Sequence, residues 1–121
     1  MKSVWLSLLL MISACTLRAE SPAAGVWAGR FPDRNPAVTL YVVDESGKLG
    51  GRAIFYVNRS GEIVGAEERP LISAKFENGV LSFEVTAPSD GTRLRFQMKI
   101  VSAKAGELSG EGQAIKMKKV E

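Results

Sequence analysis

The chain has 121 residues, of which 16 are basic, 13 are acidic and none is histidine, so its net charge at pH 7 is +3. Removing Lys2 and Arg18, which lie in the apolar N-terminal segment, leaves 14 basic residues against 13 acidic ones. This balance gives no support to nucleic-acid binding, so no nucleic-acid partner is expected. The absence of histidine also excludes metal sites and catalytic centres that depend on imidazole.

The first 19 residues have the layout of a secretory signal peptide, with a positive start at Lys2, an apolar run and then small residues. The apolar run from Val4 to Ala14 has 11 residues. A helix that spans a bilayer needs roughly 20, so the run is too short to be a membrane anchor. The sequence therefore predicts an exported protein with residues 1–19 as its signal and residues 20–121 as one domain.

Two cleavage sites fit this segment. Ile12-Ser13-Ala14-Cys15 resembles the lipobox of bacterial lipoproteins, in which cleavage falls before a cysteine that carries the lipid. This interpretation is preferred, and it predicts a lipid on Cys15 that holds the domain at a membrane surface. Thr16 stands where that family uses aspartate for inner-membrane retention, which implies the periplasmic side of the outer membrane. The alternative is an ordinary cut after Ala19, which would give a secreted or soluble periplasmic protein.

Residues 20–121 are dominated by period-two alternation, which predicts an all-β domain. The clearest strand runs from Thr92 to Val101, and Asn78-Gly79 between two alternating runs predicts a tight hairpin. A last strand is expected over Glu107 to Val120, with a bulge or bend where it contains Gly110 and Gly112. About eight short strands, with turns roughly every ten residues, indicate an antiparallel up-and-down barrel; a β-sandwich is the alternative.

A weak internal repeat has the form Gly-x-Leu-x-Gly. It occurs in Gly47-Lys48-Leu49-Gly50-Gly51 and again in Gly106-Glu107-Leu108-Ser109-Gly110. The first glycine of such a unit suits a turn that leads into a strand. The last one indicates a position where two backbones approach closely or where the strand curls.

Gly25-Val26-Trp27-Ala28-Gly29 opens the first predicted strand. A Gly-x-Trp motif at this place resembles the lipocalins and the wider calycin family, in which the tryptophan closes one end of an up-and-down barrel. In lipocalins an arginine near the last strand packs on the tryptophan; the last strand here departs from that pattern and offers Lys116, Lys118 and Lys119 instead. Nitrobindin-type barrels, which have a similar opening, hold haem through a histidine; this chain has none, so no cofactor is implied.

The resemblance and the barrel together predict a non-catalytic protein that binds a small apolar or amphiphilic molecule at the cell envelope. In a barrel of about eight strands, the inward side chains just fill the interior or leave room for one small ligand. The alternative is a structural or interaction module of the envelope with a filled core, and the sequence names no protein partner. The residues expected to line the interior are Trp27, Leu40, Phe55, Phe83, Phe96 and Met98.

An enzyme is not expected, because the residues of the domain form no recognisable catalytic motif. Ser73 with Lys75 and Ser102 with Lys104 lack the Ser-x-x-Lys spacing of a lysine-activated nucleophile. No metal site is predicted either, since the acidic residues lack the alternating spacing of a calcium loop. The sequence leaves open a catalytic pair of carboxylates that face each other in a cleft, because their separation in space cannot be read from their spacing in the sequence.

A basic outer surface is the second candidate site. If the strand over Thr92 to Val101 lies beside the C-terminal strand, their basic residues would form a patch for anionic lipid headgroups or another acidic polymer. The simpler interpretation is a solvated outer face. The residues concerned are Arg93, Arg95, Lys99, Lys116 and Lys118.

Overall fold

The computed structural model describes residues 20–31, 35–87 and 90–121; the predicted signal segment and Cys15 lie outside this range. No helix in the described part of the chain is long and apolar enough to cross a membrane. The described residues form nine β-strands. These are β1 (Gly25–Arg30), β2 (Pro36–Glu45), β3 (Lys48–Arg59), β4 (Glu62–Pro70), β5 (Ile72–Glu77), β6 (Val80–Thr86), β7 (Arg93–Ser102), β8 (Ala105–Gly110) and β9 (Gln113–Lys119).

All nine strands belong to one antiparallel sheet with the order β4-β3-β2-β1-β9-β8-β7-β6-β5. The sheet curls into a half-barrel, since Phe55 of β3 and Phe96 of β7 approach with ring centres 5.6 Å apart although four strands separate them. The predicted all-β antiparallel meander is therefore confirmed, and the single curled sheet replaces the alternative of a two-sheet sandwich. The first and last strands, β1 and β9, pair with each other near the middle of the sheet.

Two-residue turns join four of the hairpins, and each places a non-glycine residue and then a glycine at positive φ. This geometry matches the right-handed twist of the paired strands, and glycine adopts it without steric cost. The expectation of a single last strand over Glu107 to Val120 is wrong. The tight turn at Glu111–Gly112, and not a bulge, divides this stretch into β8 and β9. The turns are Ser46–Gly47, Ser60–Gly61, Asn78–Gly79 and Glu111–Gly112.

The two edges of the sheet, β4 and β5, are consecutive in the chain and are separated by Leu71 alone. The Leu71 amide donates to the carbonyl oxygen of Gly51 at 3.0 Å, so the chain follows β3 beyond the end of β4. β5 pairs with β6 from Ile72 onward, and the register of this pair shifts around Ser73, where φ is +53°. One stretch of chain therefore covers the edge of β3 and the edge of β6.

The core begins at one end of the half-barrel, which we call the plug end, where Trp27 is completely buried. Its indole N–H donates to the carbonyl oxygen of Ala23 at 2.9 Å. The segment that contains Ala23 is held in place by Asp44, whose carboxylate accepts from the Ser21 amide at 2.7 Å. The most deeply buried large side chains are Trp27, Val38, Leu40, Leu81, Val85 and Met98.

Candidate functional site

An apolar cleft of about 200 Å³ lies at the other end of the half-barrel, which we call the cleft end. It is formed where β1, β3 and β8 finish and where β2 and β9 begin. Its polar side chains are Tyr56 of β3, Glu111 of the β8–β9 turn and Gln113 of β9. The lining residues are Phe31, Ala37, Val38, Phe55, Tyr56, Phe96, Leu108, Gly110, Glu111, Gln113 and Ile115.

Three phenylalanines from two walls of the half-barrel form a row beneath the cleft. The ring centre of Phe96 lies 5.6 Å from that of Phe55 and 5.7 Å from that of Phe83. Each such aromatic pair contributes about 0.5–1.5 kcal/mol beyond the area that it buries. Phe96 therefore links β3 to β6, with Phe83 buried behind it and the other two rings half-buried at the cleft.

Gly110 shapes the cleft by having no side chain. A Cβ at this position would overlap the ring of Phe96 and would lie 2.8 Å from the carbonyl oxygen of Arg95. The Phe96 ring occupies the space that a side chain would need, and so the close approach of β7 and β8 depends on this glycine. The repeat in the sequence had indicated such a close approach, and the structure shows one at Gly110 and another at Gly51.

The residues predicted to line the interior fall into two groups. Phe55 and Phe96 line the cleft. The other four, Trp27, Leu40, Phe83 and Met98, are at most 2 % exposed and belong to the core.

Several lining residues were not singled out from the sequence, notably Phe31, Ala37 and Gln113. They lie at strand ends, where alternation no longer indicates which way a side chain points. They could have been predicted from the topology, because an up-and-down meander brings the ends of several strands together at one rim of the barrel.

The charges of the cleft are few and exposed. Glu111, in the β8–β9 turn, is the one carboxylate among the lining residues that the structure describes, and Gln113 adds an amide. No charged or polar residue is fully buried in the described part of the chain. Hydrogen bonds from the backbone and the hydroxyl of Thr92 lower the pKa of Asp90, but Asp90 is exposed in the β6–β7 connection and does not line the cleft. The arrangement therefore offers apolar contact with polar groups at its rim.

The predicted basic residues lie on the outer faces of β7 and β9, which β8 separates. Arg93 and Arg95 approach Glu84 of β6, at 3.9 and 3.6 Å. In the register of the sheet, Glu107 of β8 lies between Lys99 and Lys116.

Lys118 pairs with Ala28 of β1 and with Ala105 of β8. The five cations thus share one side of the sheet but alternate there with carboxylates.

Among the described residues there is no group of three or more acidic, histidine or cysteine side chains that could hold a metal ion. Comparison of the chain with protein-family models, with curated proteins and with solved structures finds no match. The calycin resemblance and the lipoprotein-type signal stay predictions from the sequence.

Proposed function

We propose that this protein is an exported, non-catalytic binding protein, in which the cleft at the open end of the half-barrel takes the apolar part of a small ligand. The observation that carries the proposal is the apolar cleft of about 200 Å³ between Phe31, Phe96 and Ile115. An apolar cavity of about 150 Å³ is enough to bind benzene. A ring or a short alkyl chain therefore fits, and the rest of an amphiphilic molecule would extend past the rim.

The plug end supports the same proposal because side chains fill the interior there, and the cavity at that end, lined among others by Ser21, Asp44 and Lys75, is more polar than the cleft. Trp27 and Ala23 fill the plug end, and both are completely buried. An interior closed at one end and open at the other is the arrangement in which small barrels hold one ligand. We extend the proposal to the calycin-like class and to attachment through a lipid on Cys15, on the strength of the Gly-x-Trp motif and the lipobox.

The test is titration of the isotopically labelled protein with 1-octanol, followed by the amide shifts in nuclear magnetic resonance spectra. We expect saturable shifts at the cleft end, for example at Phe31 and Phe96, and none at Trp27. Ile115→Phe should fill the cleft and abolish the shifts. Val101→Phe, at an exposed position on β7 near the plug end, is the matched control and should leave them unchanged.

A second candidate function is a structural module of the envelope with a filled core. It is favoured by the completeness of the core, in which Leu40, Leu81 and Met98 have no exposed surface. In that case 1-octanol should give no saturable shifts at the cleft end. If the octanol-induced shifts persist unchanged in Ile115→Phe, the cleft is not the binding site and the proposal is wrong.

A further inference from the structure

The ladder between β1 and β9 is short and leaves a gap at the cleft end. It joins Trp27–Gly29 only, and it stops at the pair Gly29↔Met117 although β9 begins at Gln113. The register between β1 and β2 shifts at Gly29/Arg30. Beyond this point β1 stays with β2, since the Phe31 amide donates to the carbonyl oxygen of Asn35 at 2.9 Å. The two strands therefore diverge towards the cleft end.

A groove on the sheet occupies this gap and continues from the cleft. It has a volume of about 490 Å³ and is lined by Arg30, Phe31, Gln113, Ala114, Ile115 and Lys116. Phe31, Gln113 and Ile115 line the cleft as well. The groove and the cleft are therefore neighbours that share three lining residues.

The groove is positively charged, whereas the cleft is apolar. Arg30 and Lys116 are exposed, and no carboxylate belongs to the groove lining among the residues that the structure describes. Neither cation belongs to an ion pair between described residues; those pairs use Arg52, Arg69, Arg93 and Arg95.

Two carboxylates lie near the groove. Glu107 of β8 is opposite Lys116 in the sheet, and Glu111 lines the cleft. Both lie outside the groove lining, so the described residues of the groove present two cations and no carboxylate.

We infer that the ligand is a small anionic amphiphile, with its apolar part in the cleft and its anionic head in the groove beside Arg30 and Lys116. This rests on the proposed function and adds the charge of the ligand to it. An arginine guanidinium is suited to an anionic head because it donates parallel hydrogen bonds to two oxygens. The lysine ammonium adds a second charge-assisted donor on the same side.

The experiment compares three probes of equal chain length, octanoate, 1-octanol and octylammonium, by isothermal titration calorimetry on the intact protein at pH 7.5. We expect octanoate to bind about tenfold more tightly than 1-octanol and octylammonium to bind most weakly. The preference for octanoate should fall as the salt concentration rises, because the head lies in a solvated groove.

The decisive variant is the double substitution Arg30→Gln with Lys116→Gln. It should lower the affinity for octanoate about tenfold and leave the affinity for 1-octanol unchanged. The control is Lys48→Gln with Lys118→Gln, which removes the same charge from exposed positions outside both cavities.

Equal binding of octanoate and 1-octanol, or equal effects of the two double variants, would overturn the inference while the binding function stands. If none of the three probes binds, the proposed function itself fails. If octylammonium binds most tightly, Glu111 and not the two cations sets the charge of the ligand.

Discussion

The ammonium nitrogen of Lys119 lies 5.6 Å from the centre of the Trp27 ring, so the last strand packs a cation on the buried tryptophan of the first. The two residues are also opposite each other in the β1–β9 ladder. Lys119 therefore joins β9 to β1 through a side-chain contact as well as through the backbone.

Replacing Lys119 by alanine should lower the free energy of unfolding by about 1–2 kcal/mol, because the cation–π contact and the covering aliphatic stem are both lost. The matched control is Lys118→Ala, an exposed neighbour on β9, which should change it by less than about 0.5 kcal/mol. Urea unfolding followed by circular dichroism measures both. Equal effects would show that the contact with Trp27 adds nothing to stability.

The adjacent glycines Gly50 and Gly51 should respond in opposite ways to alanine. Gly51 has φ of +131°, and a Cβ there would overlap the carbonyl oxygen of Tyr41, which is backbone and cannot move aside. Gly51→Ala should therefore cost at least about 3 kcal/mol or prevent folding.

A Cβ at Gly50 meets no atom within 4 Å, so Gly50→Ala should be neutral or stabilising by up to about 1 kcal/mol. The midpoints of thermal unfolding of the two variants, compared with that of the unchanged protein, test this prediction. A Gly51→Ala protein as stable as Gly50→Ala would contradict the close approach of β2 and β3.

Asp44 is expected to stabilise two parts of the plug end at once. Its carboxylate accepts from the Gly47 amide in the β2–β3 turn and from the Ser21 amide of the N-terminal segment, both at 2.7 Å. Asp44→Ala should lower the free energy of unfolding by about 1–3 kcal/mol, with exposed Glu45→Ala as the control.

Hydrogen exchange gives the sharper readout for Asp44. The amides of Ser21 and Gly47 should both exchange faster in Asp44→Ala and remain protected in Glu45→Ala. Unchanged exchange at Ser21 would mean that other contacts hold the N-terminal segment on the barrel.

Alanine at Gly110 should displace the Phe96 ring and so narrow the cleft. A cost of about 1–3 kcal/mol in unfolding free energy is expected, since the added methyl group overpacks the contact. Gly65→Ala on β4 is the control, because a Cβ there meets no atom within 4 Å. Ring-proton shifts of Phe96 should move in the first variant alone, and unchanged shifts would contradict the packing described.

Much of the fold follows from local patterns in the sequence. The alternation through Arg93–Ser102 and the Asn78–Gly79 turn each depend on neighbouring residues, and both are found as expected. The division of the last stretch was missed because its turn places Glu111 at φ of +50°, a conformation that glutamate rarely adopts. Gly110 and Gly112 were local signs of a bend, but they did not indicate a two-residue turn.

The candidate site could be predicted only in part, because it depends on which strands meet. Phe55 and Phe96 could be assigned to the inner face by alternation, but their contact across the half-barrel depends on the curl of the whole sheet. The groove beside Arg30 and Lys116 depends on where the β1–β9 ladder stops, which is a long-range feature. Pairing between the two ends of a sequence leaves no local pattern to detect.

The pairing of β1 with β9 has a consequence for how the chain can be rearranged. Val26 donates to the carbonyl oxygen of Glu121 at 2.7 Å and accepts from the Val120 amide at 2.8 Å, so the start of β1 and the residues that follow β9 are side by side. In a circular permutant that links Glu121 to the segment before β1 and is opened at Leu71, the strands would follow one another in the chain in the order in which they stand in the sheet. Its strand pairs would then all be sequential hairpins, and the lower contact order should make it fold faster than the natural chain.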